Sequence, residues 1–321
     1  MTGFDHIGLL YRDEDEYAAG CAAFLRQALA AEEPAMVAVP GGNGELIRAR
    51  LGSDAHRVVF RDMSVAGRNP GRIIPSVLLA FLREHAGRRV WIIGEPIWDG
   101  RSEIEYPACA QHEALINAVF AGEEAAILCP YDVARLNPEA VADAHRTHPV
   151  MQDATGVWDS PAYTDPIETA AAFDVPLPAP PPAAAAYRFE GLRALPALRA
   201  FLTREALAAG LGGRRLSEML IAVNELATNT GEYTDGTGTV TVWTEHGTLV
   251  CQIDDGGRIA DPLAGRVPPP DHATHGRGLL IAHEFADLVR IHRHSRGTSI
   301  RLHFALSPER EPAVRRRTAA R

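Results

Sequence analysis

An acid and an amide, Glu225 and Asn229, stand in a stretch otherwise suited to a buried helix at residues 222–230, AVNELATNT. Glu225 and Asn229 stand four apart, so on an α-helix they lie one turn from each other on one side. An Asn carbonyl oxygen can hold Mg²⁺ together with phosphate oxygens, because that ion prefers hard oxygen ligands and keeps several waters. A Glu one turn away can orient a water or a hydroxyl, or take its proton. The competing reading is a solvated polar flank. Leu216, Leu220, Val223 and Ala227 step by four, three and four as a core stripe, and Glu218, Ala222, Glu225 and Asn229 run beside them.

Three later stretches bear on that choice. Asp255-Gly256-Gly257 ends a β-rich run. An Asp there can accept from an exocyclic amine such as that of adenine, and glycines let the backbone approach a base; a plain turn explains the same residues. A loop over 256–276 then leads into Gly276-Arg277-Gly278-Leu279, where backbone N–H groups at a helix start form an anion site. Gly297-Thr298 breaks a further β run, as a hydroxyl contacting a ligand would.

In this order and spacing the four pieces resemble the N, G1 and G2 boxes and the later Gly-Thr element of the GHKL ATPase superfamily, over roughly 190–306. AVNELATN, the loop DGGRIADPLAGR and HGRGLLIA are most similar to anti-sigma-factor serine kinases, and more narrowly to RsbA-like regulators. The resemblance implies that Glu225 is the catalytic base, that Asn229 binds Mg²⁺, that Asp255 with Gly257 reads adenine, and that Gly276, Arg277, Gly278, Leu279 and Thr298 bind ATP. In such families a His or Lys often follows the N-box Asn by four residues; here that position is Tyr233. The chain has no lysine, and all 32 basic residues are arginine, so γ-phosphate charge would be met by Mg²⁺, backbone donors or Arg277 and its neighbours. The missing lysine also excludes a Walker A loop and Schiff-base chemistry.

FDHIGLLY and GEPIWDGRSEIEYPACAQHEALIN resemble the MEDS sensory domain, over about residues 3–160, which implies a RecA-like fold and a sensing role. Ligands of parallel sheets bind off the carboxyl ends of strands. Glu95, Trp98, Arg101, Glu105, His112 and Glu113 follow a strand there and form the expected sensory site with His6, which is otherwise a hydrogen-bonded structural residue. VAVPGGNGEL sits where a phosphate loop would; it is either an anion site or a plain turn. His272, His275, His283, His292 and His294 have no spacing that demands zinc.

The elements that must position these residues fall into two groups. Before residue 133, strand-like runs (6–11, 35–40, 57–60, 88–97, 125–132) alternate with helical ones (17–31, 75–87, 108–122), which predicts a parallel sheet covered on both faces. The proline-dense stretch 172–186 reads as a semi-rigid linker. Beyond it, helices at 191–210, 214–230 and 278–289 and hairpins over 238–255 and 290–306 predict one mixed sheet with helices on one face, the α/β sandwich of GHKL proteins. The expected division is a sensory domain at 1–165, a linker at 166–187, an ATP-binding kinase domain at 188–306 and a disordered tail at 307–321.

A length of 321 residues suits two domains, with 46% apolar and 23% charged residues. The net charge of −9 argues against a nucleic-acid surface. No apolar run reaches a membrane span, and the acidic N-terminal residues lack the basic start of a signal peptide, so a cytoplasmic protein is expected. The four cysteines lack CxxC spacing and read as reduced thiols, not as a disulfide frame or zinc site. The expected function is a serine/threonine kinase acting on an anti-sigma-factor antagonist, a holder of a sigma factor, or both, under control of a sensory ligand; a homodimer is compatible with it. A nucleotide-binding module without kinase activity is the alternative. A sensor histidine kinase is disfavoured, because 191–210 contains no histidine to phosphorylate.

Overall fold

In the strand Ala125–Asp132, Ala126 and Leu128 face one core while Ala125, Ile127, Cys129 and Tyr131 face another. Side chains alternate along a strand, so a run apolar at every position must be covered above and below. The computed structural model, which describes residues 3–270, 272–273 and 275–306, has that layering. Strands β1 (Phe4–Tyr11), β2 (Ala35–Val39), β3 (Val58–Asp62), β4 (Val90–Gly94), β5 (Ala125–Asp132), β6 (Val150–Asp153) and β7 (Gly156–Asp159) form one sheet. Their order is β3-β2-β4-β5-β1-β6-β7, parallel except for the β6–β7 pair. Helices α1 (Glu14–Ala30) and α2 (Gly41–Leu51) cover one face. The other face carries α3 (Met63–Ala66), α4 (Pro70–Ile73), α5 (Leu79–Glu84), α6 (Tyr106–Val119), α7 (Pro138–Thr147) and α8 (Pro166–Ala172). The single helix expected at 75–87 starts earlier. Pro75 lacks the N–H that an α-turn uses, and the path between α4 and α5 widens into a π turn over Ile74–Leu78.

The second sheet consists of β8 (Ala185–Glu190), β9 (Thr237–Glu245), β10 (Thr248–Asp255), β11 (Leu288–His294) and β12 (Gly297–Ala305). Its order is β11-β12-β10-β9-β8, and every pair is antiparallel, not mixed as expected. Two hairpins and an edge strand need no crossover, so nothing in it runs parallel. At the first hairpin His246 and Gly247 both have positive φ, 47° and 74°, as a two-residue turn matched to strand twist requires. Helices α9 (Leu195–Ala208), α10 (Gly213–Tyr233) and α11 (Gly278–Phe285) pack on one face around Phe201, Leu226, Ile253 and Phe304. The helix expected over 278–289 stops at Phe285, because Leu288 and Val289 pair with β12.

The stretch read as a linker is partly built into both halves. Asp165 caps α8 with Pro166 at its first turn, and Ala170 of α8 is buried in the first core. The tail of the same stretch begins β8. Between them Asp174 accepts from the Arg293 guanidinium at 2.8 Å and pairs with His292 at 2.8 Å, so the proline-rich run lies along the second sheet. The tail 307–321 lies outside the described residues.

Candidate functional site

Helix α10 buries Met219, Ala222, Val223, Leu226, Ala227 and Thr230. The centre of its core face is therefore rotated from the expected stripe: Leu216 and Leu220 are only partly buried, and Ala222, assigned to the flank, is fully buried. Glu225 and Asn229 are half-buried beside this face, as an acid and an amide at the edge of a core must be to keep contact with water.

A cleft opens next to Asn229, between α10, β10, β12 and the loop that leads into α11. Of the residues expected to bind ATP, Asn229, Asp255, Gly257, Gly276, Gly278, Leu279 and Thr298 line it. Glu225 and Arg277 are not part of that lining; the Arg277 guanidinium donates to the Ala273 carbonyl at 2.8 Å. Leu226, Ile253, Ile259 and Ile300 complete an apolar wall suited to the face of a flat base. Sequence reasoning assigned these four no role, since a core-like Ile carries no signal of its own. Arg258 also lines the cleft and is exposed, which puts a cation at its mouth; its place in the DGGR turn was the available clue. Tyr233, 63% exposed, stands on the rim of the cleft, four residues after Asn229.

Asp255 is held rigidly. One carboxylate oxygen accepts from the Thr230 hydroxyl at 2.6 Å and the other from the Gly257 N–H at 2.9 Å. Each oxygen keeps a free lone pair, so the side chain can accept further from a ligand amine. Thr298 donates to the Gly257 carbonyl at 2.8 Å and so ties β12 to the turn after Asp255. Two glycines are required by close approach. A Cβ on Gly297 would lie 1.8 Å from the Asp255 carbonyl oxygen, and φ there is +144°. A Cβ on Gly278 would lie 2.8 Å from Nδ2 of Asn229. The start of α11 thus abuts the Asn229 amide, and Asn229, Gly278 and Leu279 line the same cleft. Backbone donors beside a neutral oxygen ligand, at the open end of an apolar slot, fit an Mg²⁺-bound phosphate chain better than a free anion.

The other end of α11 is clamped by the first half of the chain. Asn69 is fully buried; its Oδ1 accepts from the Gly71 N–H at the start of α4, and its Nδ2 donates to the carbonyls of His283 at 2.7 Å and Ala286 at 3.4 Å. One side chain therefore caps the start of one helix and the end of another. Glu284 on α11 accepts from Arg72 at 2.7 Å and from Ser76 at 2.9 Å. Gly71 leaves room for the His283 ring, since a Cβ there would sit 1.8 Å from its Nδ1.

The residues expected to form one sensory site fall into several groups: Glu95 apart, Trp98 with Arg101 and Glu105, His112 without a partner for Nδ1, and His6 with Glu113. Glu95 is buried against Tyr17, whose hydroxyl donates at 3.0 Å, and Asn43, whose amide donates at 2.8 Å and 2.9 Å. Burial raises its pKa to about 8 against the pull of those donors. Asn43 belongs to the Gly-rich turn at the start of α2, so that turn faces a protein carboxyl group. Trp98 stacks under the Arg101 guanidinium at 3.9 Å, and Arg101 holds the carbonyls of Gly67, Arg68 and Pro96 and the carboxylate of Glu105. Those contacts brace the loop before α6. His112 is buried with Nδ1 unpaired, and burial pushes its pKa down to about 3. His6 meets Glu113 of the expected set, together with Cys129 and His148, and burial followed by repulsion from His148 pushes it down to about 4. Cys129 and His148 were missed because no local spacing links them to His6.

No helix among the described residues is long and apolar enough to cross a membrane. Residues 5–149 match the family model of MEDS, the methanogen/methylotroph DcmR sensory domain. Residues 191–304 match that of the histidine kinase-like ATPase domain. No curated protein matches the chain. The chain joins an N-terminal MEDS domain to a C-terminal GHKL-like ATPase domain, the two-domain architecture of RsbA-like regulators.

Proposed function

We propose that this protein is a regulatory serine/threonine kinase. In this reading it binds Mg·ATP in the second half and phosphorylates an anti-sigma-factor antagonist, holds a sigma factor, or both, under control of the MEDS domain. One observation carries the reading: a single helix, α11, meets the Asn229 amide at its start and the Asn69–Arg72–Ser76 surface of the sensory half at its end. A shift of α4 would act directly on the phosphate end of the cleft. Bound Mg²⁺ would supply charge neutralisation on the phosphates, and the Asn229 carbonyl would hold it. Asp255 would accept from the adenine amine, and the α11 N-terminus would cradle the phosphates. Glu225, one turn from Asn229 and outside the cleft lining, would receive the proton of a hydroxyl brought by a partner protein rather than bind nucleotide.

The test is transfer of radiolabelled γ-phosphate to an antagonist co-purified from the native host, with wild type and Glu225→Gln. Retained ATP binding with transfer lost in the variant supports the kinase; equal transfer in both removes Glu225 as base. A second reading, a nucleotide-dependent binding module without transfer, is favoured by the exposed Tyr233 on the cleft rim and the absence of lysine. Calorimetric ATP binding with no transfer to any co-purified protein would establish that reading instead.

A further inference from the structure

Four ligand-bearing side chains from four different elements meet inside the sensory half. His6 comes from β1, Glu113 from α6, Cys129 from β5 and His148 from the residue that ends α7. Their nearest N, O and S atoms all lie within 4.8 Å of one another, and each residue is at most 1% exposed. Gly8, opposite Cys129 on the neighbouring strand, leaves room for this: a Cβ there would come 3.3 Å from the His148 ring.

The hydrogen bonds around the cluster fix its chemistry. The Asn117 amide nitrogen donates to the Thr147 carbonyl at 2.7 Å, which turns its oxygen toward Nδ1 of His6 at 3.0 Å. Nδ1 of His148 faces the Ala144 carbonyl at 2.9 Å. A carbonyl oxygen only accepts, so both Nδ1 atoms carry the proton. Both Nε2 atoms of the neutral rings are then bare lone pairs, and they point at Oε2 of Glu113 from 3.4 Å and 3.2 Å. Sγ of Cys129 is 3.4 Å from Nε2 of His6. Both Glu113 oxygens and Nε2 of His148 are buried without a hydrogen-bond partner. Acceptors facing acceptors in a dry interior are unfavourable unless a cation sits among them.

We infer that His6, Glu113, Cys129 and His148 form a closed binding site for a divalent transition-metal ion of the zinc type. Three observations converge. Tetrahedral zinc with ligands at roughly 2.0–2.3 Å has ligand–ligand edges of about 3.3–3.6 Å, close to the His6–Glu113, His148–Glu113 and His6–Cys129 separations of 3.4, 3.2 and 3.4 Å, and the full set stays within 4.8 Å. Each imidazole is oriented by a carbonyl acceptor on its other nitrogen, the outer-shell arrangement of metal-bound histidines. One thiolate and one carboxylate balance the charge of a divalent ion, so the filled site is neutral, as its burial requires. Binding converts the Cys129 thiol to a metal-bound thiolate and releases one proton to solvent. With four protein ligands and no exposed edge, the ion would pin β1, β5, α6 and α7 together rather than present an open coordination position.

The experiment uses the full chain, stripped with a chelator and titrated with Co²⁺. Wild type should bind about one equivalent and develop both a thiolate-to-cobalt charge-transfer band and the strong visible bands of a tetrahedral ion. Zn²⁺ should displace it stoichiometrically. Cys129→Ser should lose the charge-transfer band, and Asn117→Ala, which removes the outer acceptor of His6 together with the donor to the Thr147 carbonyl, should weaken binding by about 10- to 100-fold. A folded wild-type chain that takes up no metal overturns the proposal and leaves a protonated His–Glu network in its place. So does a wild-type cobalt spectrum without a thiolate band, whether or not the variants fold.

Discussion

Replacing Asp255 by Asn isolates the base-reading role of the cleft with little damage to the fold. In the native site the carboxylate accepts from Thr230 at 2.6 Å and from the Gly257 N–H at 2.9 Å. An Asn can keep the Gly257 bond with its carbonyl and turn its NH₂ toward Thr230. The Thr230 hydroxyl can then donate instead to the Leu226 carbonyl, 3.2 Å away. Every buried group stays paired, so thermal stability should change little. The ligand side changes sign, because an acceptor for the adenine amine becomes a donor facing it. A hydrogen bond to a charged group contributes about 1.5–3 kcal/mol, which converts to about 10- to 150-fold weaker ATP binding at 1.4 kcal/mol per decade. Calorimetry should find that loss for ATP but a smaller one for inosine triphosphate, whose base offers a keto oxygen at the same position. Equal losses for both nucleotides, or ATP affinity within about twofold of wild type in a folded variant, would refute the assignment of Asp255 to the base.

Other substitutions test the remaining links. Gly278→Ala should leave the melting temperature near wild type, since Ala suits a helix start. Its Cβ would meet the Asn229 amide at 2.8 Å, so Mg-dependent ATP binding measured by titration should fall. Asn69→Ala removes an N-cap, about 1 kcal/mol, and leaves the buried end of α11 without its donor, about 1–3 kcal/mol. Denaturant unfolding should show a loss of about 2–4 kcal/mol in total, with the two halves melting in separate steps. Glu95 makes a pH signature: its carboxyl is held neutral in the fold up to about 8, against 4.5 as the ordinary value. The folded state binds the extra proton between those values, so this contribution to stability is complete below 4.5 and is lost as pH rises through about 8. In Glu95→Gln the slope disappears, and melting curves across that window should show the variant gaining on wild type by up to about 1.4 kcal/mol per pH unit.

Much of the fold is legible in the chain because its signals are local. The unbroken apolar run at Ala125–Asp132, which demands cover on both faces, and the period-3.6 burial on α10 follow from backbone geometry alone. The His246–Gly247 turn follows from the residue types that tolerate positive φ. The order of Asn229, Asp255, Gly276, Gly278 and Thr298 was readable as one nucleotide motif because each occupies a characteristic end of a helix or strand. What the chain could not announce is convergence between distant segments. The slot walls Leu226, Ile253, Ile259 and Ile300 are ordinary core residues until the loop after β10 folds over them. Asn69 became a double cap only where α4 met the end of α11, more than 200 residues away. Cysteine spacing argued against a metal site, since it counts neighbours along the chain. Cys129 found His6, Glu113 and His148 instead by sheet register and helix packing. Propensity and periodicity act within a few residues, and they determined five strands of the first sheet, the two hairpins of the second and the motif helix, but not β6, β7 and the edge strand β8. Burial, close packing and the pairing of polar groups act across the whole chain, and they decided which side chains face one another.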